Sequence, residues 1–211
     1  MNIKQKIEQI TPEMLKRRHS IHSKPEIAYQ EKDTSDFISK KLHEFGIEVH
    51  QGIGKTGVVG IIKGKNSNSE KAIGIRADMD ALPMTEKTNL PYTSKNEGAM
   101  HACGHDGHST MLLGAAKYLA ETRNFHGTVY CIFQPAEEGG GGKIILLDNG
   151  AFEDASCSMM IHPGYEDVVN PTFTTIQQYK VEFFGKIKTS LKSKYLSKLF
   201  LYDLTHDSHI F

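Results

Sequence analysis

The chain has 211 residues, of which 38% are hydrophobic and 24% charged, as expected of a water-soluble globular protein. Its 25 basic and 25 acidic residues balance, so no bulk charge favours nucleic acid or a membrane surface as a partner. The charged start is unlike a signal peptide, and no apolar run approaches the roughly 20 residues of a membrane span. Three unevenly spaced cysteines argue against a framework of disulfides. We therefore expect a cytoplasmic protein with one domain and part of a second.

Two helices are predicted near the start of the chain. Thr11-Pro-Glu13 is typical of a helix start, with a hydroxyl cap and then proline, and this helix should end near Ser23. A second helix is expected from Lys32 to Phe45, with apolar side chains on one face and Gly46 as its C-terminal stop.

The first predicted strands lead to a pair of carboxylates. A short strand is expected at 47–50, and the runs 57–62 and 72–76 are apolar enough to be buried strands. The last of these delivers Asp78 and Asp80 to its carboxyl end, where open α/β sheets place their chemistry. Aspartates ahead of a proline are also common turn residues, so this stretch alone leaves both interpretations open.

The order of strand, polar cluster and helix recurs along the chain. The further predicted elements are a helix over 109–121, a strand over 127–133, a helix over 144–147 and a strand over 156–161. The polar clusters are His101-Ala-Cys-Gly-His-Asp-Gly-His108, the pair Glu137-Glu138 and His162. This repetition predicts an α/β fold with a site along one edge of its sheet.

The polar clusters are candidate metal ligands. Cys103 and His105 lie two apart in a glycine-containing loop, which lets both face one ion, although such a pair alone is weak evidence. Two adjacent carboxylates, Glu137 and Glu138, end an apolar strand, where they would be costly unless a metal or water matched their charge. Because neighbouring side chains point differently, one can bind metal while the other faces the substrate as a base.

The histidines differ in what they indicate. His162 ends an apolar strand, which fits a ligand and equally a core histidine with its hydrogen bonds satisfied. His101 is ambiguous, and His108 falls in a first helical turn, where it can simply line the pocket. Four others are most simply solvated or packing residues: His19, His22, His43 and His50.

Four motifs occur together in the order of a known family. They are Arg17-Arg-His-Ser-Ile-His-Ser-Lys-Pro-Glu26, Arg76-Ala-Asp-Met-Asp-Ala-Leu-Pro83, His101 to His108 as quoted above, and Gln134-Pro-Ala-Glu-Glu-Gly139. From about Leu15 to Gly185, the chain resembles the amidohydrolases of the aminoacylase/carboxypeptidase-type metallopeptidases. These include hippurate hydrolase, N-acetyl-diaminopimelate deacetylase, the plant auxin-conjugate hydrolases and aminobenzoyl-glutamate hydrolase. The resemblance implies a zinc-peptidase-like fold, with a central mixed sheet flanked by helices.

The resemblance also implies a site with two divalent metal ions, zinc or manganese. The ligands it implies are Cys103, His105, Glu138 and His162. It makes Glu137 the general base and Asp80 a carboxylate that orients the site. On this resemblance, a bound metal would supply activated water and Glu137 would accept its proton during attack on an amide carbonyl. Cys103 would be a thiolate ligand rather than a nucleophile.

The resemblance ends before the chain does. Family members continue well past this length, with a lid and dimerisation domain that supplies a substrate-binding histidine and a second half that supplies one more ligand. We expect residues 1–170 to be the N-terminal part of the catalytic domain, 171–185 the start of the lid, and 186–211 a divergent tail, as a truncated gene model would produce. The family's homodimer would then lack its lid domain here.

Two interpretations of the function stay open at this point. One is metal-dependent hydrolysis of the amide bond of N-acyl amino acids or dipeptide-like small molecules, impaired by the missing part. The other is a catalytically inactive fragment that binds or regulates a full-length relative. A closed structural zinc module is disfavoured, because Glu137-Glu138 and the glycine run 139–142 indicate an open site that faces a substrate.

Overall fold

The computed structural model describes residues 3–65 and 69–160. The helices are α1 (Ile3–His22), α2 (Lys32–Glu44), α3 (His105–Thr122) and α4 (Gly142–Asp148), and the strands are β1 (Glu48–Ile53), β2 (Gly57–Lys63), β3 (Ala72–Asp78), β4 (Thr128–Gln134) and β5 (Cys157–Met160). The predicted ligand His162, the lid start at 171–185 and the tail at 186–211 lie outside the described residues. Within the described part, no helix is both long and apolar enough to cross a membrane.

The five strands of the described part form one mixed sheet, in the order β1-β2-β4-β3-β5. β2 pairs antiparallel with both β1 and β4, whereas β3 pairs parallel with β4 and β5. The predicted α/β class, with a mixed sheet flanked by helices, is confirmed. In the parallel pair Asp78 lies opposite Gln134, so the carboxyl ends of β3 and β4 stop side by side.

Helices cover both faces of the sheet. Successive side chains of β4 point to opposite faces, so this strand contributes to the packing on both sides. Cys131 and Phe133 face α2 and α3 in the main core, and both are fully buried. Ile132 points the other way and packs with Leu146 of α4. Fully burying each such large aliphatic or aromatic side chain stabilises the fold by about 1.5–3 kcal/mol.

Two predicted helix starts are wrong. α1 begins at Ile3 rather than near Thr11, and the Thr11 hydroxyl donates to the Ile7 carbonyl 2.8 Å away instead of capping a new helix. Pro12 lies inside α1, where it forgoes the hydrogen bond that an N–H would give to the carbonyl four residues earlier. α3 begins at His105 rather than Ser109, directly after Gly104 in a left-handed conformation.

Candidate metal centre

Most of the predicted site residues lie at the edge of the sheet where the carboxyl ends of β3 and β4 meet. Asp78 ends β3 and Asp80 follows it, and both side chains are almost completely buried. Glu137 and Glu138 follow β4 on the adjacent side. The start of α3 brings His105 to the same edge, so three separate parts of the sequence meet there.

Cys103, His105 and Glu138 form a compact group, which we call the metal cluster. One ligand atom from each lies within 4.8 Å of the other two. Sulfur, nitrogen and oxygen donors in one such group suit a zinc-type ion. Within the described ranges, His101 and His108 do not join the group.

Asp80 connects two members of the metal cluster. His105 Nδ1 lies 2.9 Å from the Asp80 carbonyl oxygen and 3.3 Å from Oδ1, so Nδ1 is the donor and Nε2 carries the lone pair in the neutral ring. Asp80 Oδ2 accepts the backbone N–H of Glu138 at 2.8 Å. Burial raises the pKa of Asp80, but hydrogen bonds from His105 and from the N–H groups of Glu138 and Glu137 outweigh it and leave that pKa lowered.

Like charges crowd the metal cluster. Burial, a hydrogen bond to Glu138 and the negative charges of Glu138, Glu137 and Asp78 raise the pKa of the Cys103 thiol to about 12. Burial and the charge of Asp78 lead the causes that raise the pKa of Glu137, although its side chain is exposed. A bound cation would relieve this mutual repulsion, so the residues present fit a divalent metal ion.

Hydrogen bonds of Asp78 and His108 connect the end of β3 to α3, next to the metal cluster. Arg76 donates to Asp78 Oδ1 through Nε at 3.0 Å and Nη2 at 2.8 Å. The backbone N–H of Asp78 donates to His108 Nδ1 at 3.1 Å, and Ser109 Oγ donates to the Asp78 carbonyl oxygen at 2.9 Å. These bonds tie the first turn of α3 to the end of β3.

A second group of ionisable residues was not foreseen, and we call Arg18, His22, Glu86 and Asp106 the polar cluster. Asp106 Oδ2 accepts from Arg18 Nε at 3.0 Å and lies 2.9 Å from His22 Nδ1. His22 Nε2 lies 3.1 Å from Glu86 Oε1. His22 is thus a buried bridge between two carboxylates rather than a solvated residue.

His101 lies close to the polar cluster, with its ring centroid 6.3 Å from that of His22. Its side chain is buried, and within the described ranges neither ring nitrogen has a hydrogen-bond partner. Burial lowers the pKa of His101 to about 4, which keeps the ring neutral at physiological pH. Among the described residues, His101 is not one of the three that form the metal cluster.

The loop that carries Glu137 and Glu138 is held from its far side by residues that the sequence analysis missed. Glu31 Oε1 accepts the N–H of Ala136 at 2.8 Å, and the Tyr29 hydroxyl donates to the Gly140 carbonyl oxygen at 2.6 Å. A glutamate just before α2 predicts only a helix-capping acid, so no local signal identified this contact.

The glycine run 139–142 closes the same loop tightly. A Cβ on Gly140 would lie 2.6 Å from the Cβ of Ala136, and one on Gly142 would lie 1.7 Å from the Pro135 carbonyl oxygen. Gly139 and Gly141 have open space around them but adopt left-handed conformations, with φ of 78° and 69°. The backbone of this loop therefore packs closely against itself next to Glu137 and Glu138, in a turn that only glycines allow without a clash or strain.

Comparisons with known proteins point in one direction. Residues 74–199 match the model of peptidase family M20/M25/M40. The chain is 55% identical to hippurate hydrolase of Campylobacter jejuni over 153 residues, which is 72% of this chain and 39% of that protein. It is 40% identical to N-acetyl-L-cysteine deacetylase of Bacillus subtilis over 178 residues, 81% of this chain and 42% of that one.

Solved structures agree with the sequence comparisons. The fold matches the YXEP protein of Bacillus subtilis, described as a dinuclear metal binding peptidase from the M20 family, with a TM-score of 0.71 and 40% identity over 74% of this chain and 44% of that one. It matches an aminohydrolase-like protein of methicillin-resistant Staphylococcus aureus with the same TM-score at 35% identity, covering 74% and 42% of the two chains. The chain thus spans about two fifths of the length of the curated relatives named above.

Proposed function

The chain belongs to peptidase family M20/M25/M40, and on that premise we propose that it carries the core of a two-metal centre that hydrolyses amide bonds. The gathering of Cys103, His105 and Glu138, with Glu137 beside them, is the observation that carries this proposal. The described residues bring these groups together from the end of β4 and the start of α3, and Asp80 from the end of β3 connects His105 to Glu138.

Cys103, His105 and Glu138 would hold divalent ions, with His162 as the fourth ligand among the residues of this chain. Two ions are supported by the likeness to the dinuclear metal binding YXEP protein. Zinc or manganese fits best, because thiolate and imidazole donors suit zinc and carboxylate donors suit manganese. Bound ions would polarise an amide carbonyl and activate the attacking water.

Glu137 would act as the general base. Its exposed position beside the metal cluster lets it reach both solvent and substrate, as a general base must. It would take the proton of the attacking water and then deliver it to the leaving amine nitrogen. Asp80 would keep His105 in the tautomer whose Nε2 lone pair can bind a metal.

The substrate would be a small N-acyl amino acid or dipeptide-like amide. Hippurate hydrolase and N-acetyl-L-cysteine deacetylase, both named for N-acyl amino acids, are among the relatives of this chain. These hydrolytic relatives favour the enzyme over the inactive-fragment interpretation. A family homodimer remains our expectation for the complete catalytic unit.

Metal analysis of the wild type against the double variant Cys103→Ala, His105→Ala tests the proposal. We expect the wild type to retain zinc or manganese after gel filtration and the double variant to lose most of it. The matched control is Cys157→Ala, His50→Ala, which removes an exposed thiol and an exposed imidazole outside the metal cluster. Unchanged metal content in the Cys103, His105 variant would refute the ligand assignment.

A hydrolysis assay on N-acetyl- and N-benzoyl-amino acids, with added zinc or manganese, tests the reaction itself. Release of the free amino acid by the wild type and its loss in the Cys103, His105 variant would support it. A wild type that binds metal but releases no amino acid from any of these substrates would count against hydrolysis of this substrate class.

A further inference from the structure

The segment 25–31, between α1 and α2, contacts both loops that carry the candidate chemistry. On one side, the Ala81 N–H donates to the Glu26 carbonyl oxygen at 2.8 Å, one residue after Asp80. On the other side, Glu31 and Tyr29 bind the two ends of the loop around Glu137 and Glu138, as described above. One short segment therefore spans the gap between the two strand ends.

Glu31 is an unusual residue to find in such a segment, because its side chain is fully buried. Its two carboxylate oxygens have different partners: Oε1 accepts the Ala136 N–H, and Oε2 accepts the Thr56 hydroxyl at 2.8 Å. Burying a carboxylate carries a large desolvation cost. Such a cost is tolerated where the group's hydrogen bonds maintain an arrangement that the fold would not otherwise hold.

Helix capping does not account for Glu31. Although it occupies the position before α2, its side chain makes no capping hydrogen bond to that helix. Glu26 does so instead, with Oε1 accepting the N–H of Asp33 at 3.1 Å and Oε2 that of Thr34 at 2.8 Å. The Glu31 carboxylate is directed away from α2 and towards the end of β4.

The residue that Glu31 holds has a strained backbone. Ala136 has a φ of 51°, in the left-handed region that a residue with a Cβ adopts only at a steric cost. It is fully buried and directly precedes Glu137. The conformation of Ala136 therefore sets the direction in which Glu137 and Glu138 leave the sheet.

We propose that Glu31 is a positioning residue: its hydrogen bond to the Ala136 N–H keeps the Glu137-Glu138 loop turned so that Glu138 meets Cys103 and His105. This inference rests on the metal centre proposed above. Its consequence is that Glu31, which is not in the metal cluster, controls how tightly the cluster binds a divalent ion.

Zinc affinity, measured by competition with a chromophoric chelator, tests the inference. Glu31→Ala should weaken zinc binding by about 10- to 100-fold, as loss of a group that orients a ligand typically does. Glu31→Gln should stay within about threefold of the wild type, because its amide oxygen can still accept from Ala136 and its NH₂ can donate to Thr56 Oγ1. Thr56→Val removes only the second contact and should leave zinc affinity unchanged.

Cobalt substitution adds a readout that a loss of stability alone would not move. Cobalt(II) bound to Cys103 gives a thiolate charge-transfer band, which we expect to shift in Glu31→Ala and to be preserved in Glu31→Gln. If Glu31→Ala does not fold, Glu31→Asp replaces it, because the shortened carboxylate keeps the charge but withdraws from the Ala136 N–H. Glu31→Asp should then bind zinc more weakly than Glu31→Gln.

The outcomes separate this inference from the proposed function. A wild type that binds no zinc overturns the metal centre itself. If the wild type binds zinc and Glu31→Ala binds it equally well, the metal centre stands and the positioning role is wrong. Equal losses in Glu31→Gln and Glu31→Ala would also overturn the inference, since charge rather than the hydrogen bond would then matter.

Discussion

His105 and Asp106 are neighbours in the first turn of α3, yet they belong to groups with opposite properties. In the metal cluster and its surroundings, burial and the charges of neighbouring carboxylates raise the pKa of the Cys103 thiol and of Glu137. In the polar cluster, Asp106 accepts hydrogen bonds from two basic side chains. Both groups contain a histidine and at least one carboxylate, so these residue types alone do not distinguish them.

The difference between the two groups is whether the protein supplies its own countercharges. Burial raises the pKa of Asp106, but interactions with neighbouring groups, including a hydrogen bond from His22 and the charge of Arg18, outweigh it and lower that pKa. The polar cluster thus contains basic partners for its own carboxylates, whereas a bound cation would balance the carboxylates at the metal cluster. Substitutions should therefore change stability in one group and metal binding or hydrolysis in the other.

The largest effect is expected from Glu137→Gln. Removal of a general base should lower hydrolysis of N-acyl amino acids by about 10²- to 10⁴-fold. Metal content should not change, because Glu137 is not in the metal cluster. Steady-state hydrolysis together with metal analysis measures both quantities.

Glu138→Gln is the matched control for that substitution, since it alters the adjacent carboxylate and should lose metal as well as activity. Loss of metal in Glu137→Gln, or full activity in it, would show that the two glutamates do not divide the roles as proposed.

Asp106→Asn should destabilise the fold without affecting metal content. The substitution removes the buried carboxylate that accepts from Arg18 and lies 2.9 Å from His22, which keeps Glu86 as its other partner. Disrupting this buried hydrogen-bond network should cost about 1–3 kcal/mol in the free energy of unfolding. Urea unfolding at neutral pH measures this loss. Asp36→Asn, in an exposed pair with Lys32, is the control and should change stability by less than about 1 kcal/mol.

If Asp106→Asn removed metal and left stability intact, the division between the two groups would fail. The polar cluster would then be part of the metal site.

Acid should destabilise the fold through Glu86. Burial raises the pKa of this group, but hydrogen bonds from the Thr88 hydroxyl, the Ser94 N–H and His22 outweigh it and lower the pKa from 4.5 to about 2. Its stabilising contribution is therefore complete above pH 4.5 and is lost as the pH falls towards 2. At about 1.4 kcal/mol for each pKa unit, the loss is at most about 3.5 kcal/mol.

Glu86→Gln should flatten this acid dependence, which urea midpoints at about pH 6 and about pH 3 would reveal. Parallel pH dependences in the wild type and the variant would exclude Glu86 as the group responsible.

The smallest effect is expected from Lys117→Met. Lys117 Nζ lies 2.6 Å from Glu13 Oε2, and this ion pair joins α1 to α3. The same two helices carry most of the polar cluster. Unlike the buried Asp106, however, Lys117 and Glu13 both have partly exposed side chains. Exposed ion pairs contribute less than about 1 kcal/mol, and salt screens them. Thermal unfolding at low and high salt would test this. If Lys117→Met lowered the free energy of unfolding as much as Asp106→Asn, burial would not explain why the Asp106 contacts stabilise the fold more than the Lys117–Glu13 pair.

The positions of the metal-cluster residues followed from local sequence patterns. Short, continuously apolar runs identified β3 and β4 as buried strands, and each run was followed by carboxylates. Because parallel strands end at the same edge, the meeting of Asp80 and Glu138 could be expected from the sequence. Their roles, and that of His162, stay predictions that the experiments above test.

Contacts distant in sequence could not be predicted in this way. His22 and Asp106 lie 84 residues apart, and Glu31 and Ala136 lie 105 apart. Nothing within a few residues of His22 distinguishes it from the other histidines, apart from its place in the first family motif. The start of α1 was missed for another reason: an internal proline after a threonine imitates a capping signal, but the apolar residues before it continue the helix.

The glycine run 139–142 limits how this loop can change in evolution, and it does so by two alternating constraints. At positions 140 and 142 a side chain has no room, whereas at 139 and 141 it has room but an unfavourable backbone angle. A single substitution in the run therefore meets either a steric clash or strain. Relatives that differ in substrate preference should vary elsewhere around the pocket, and a homologue that lacks glycine at 142 should have rebuilt the whole turn after β4.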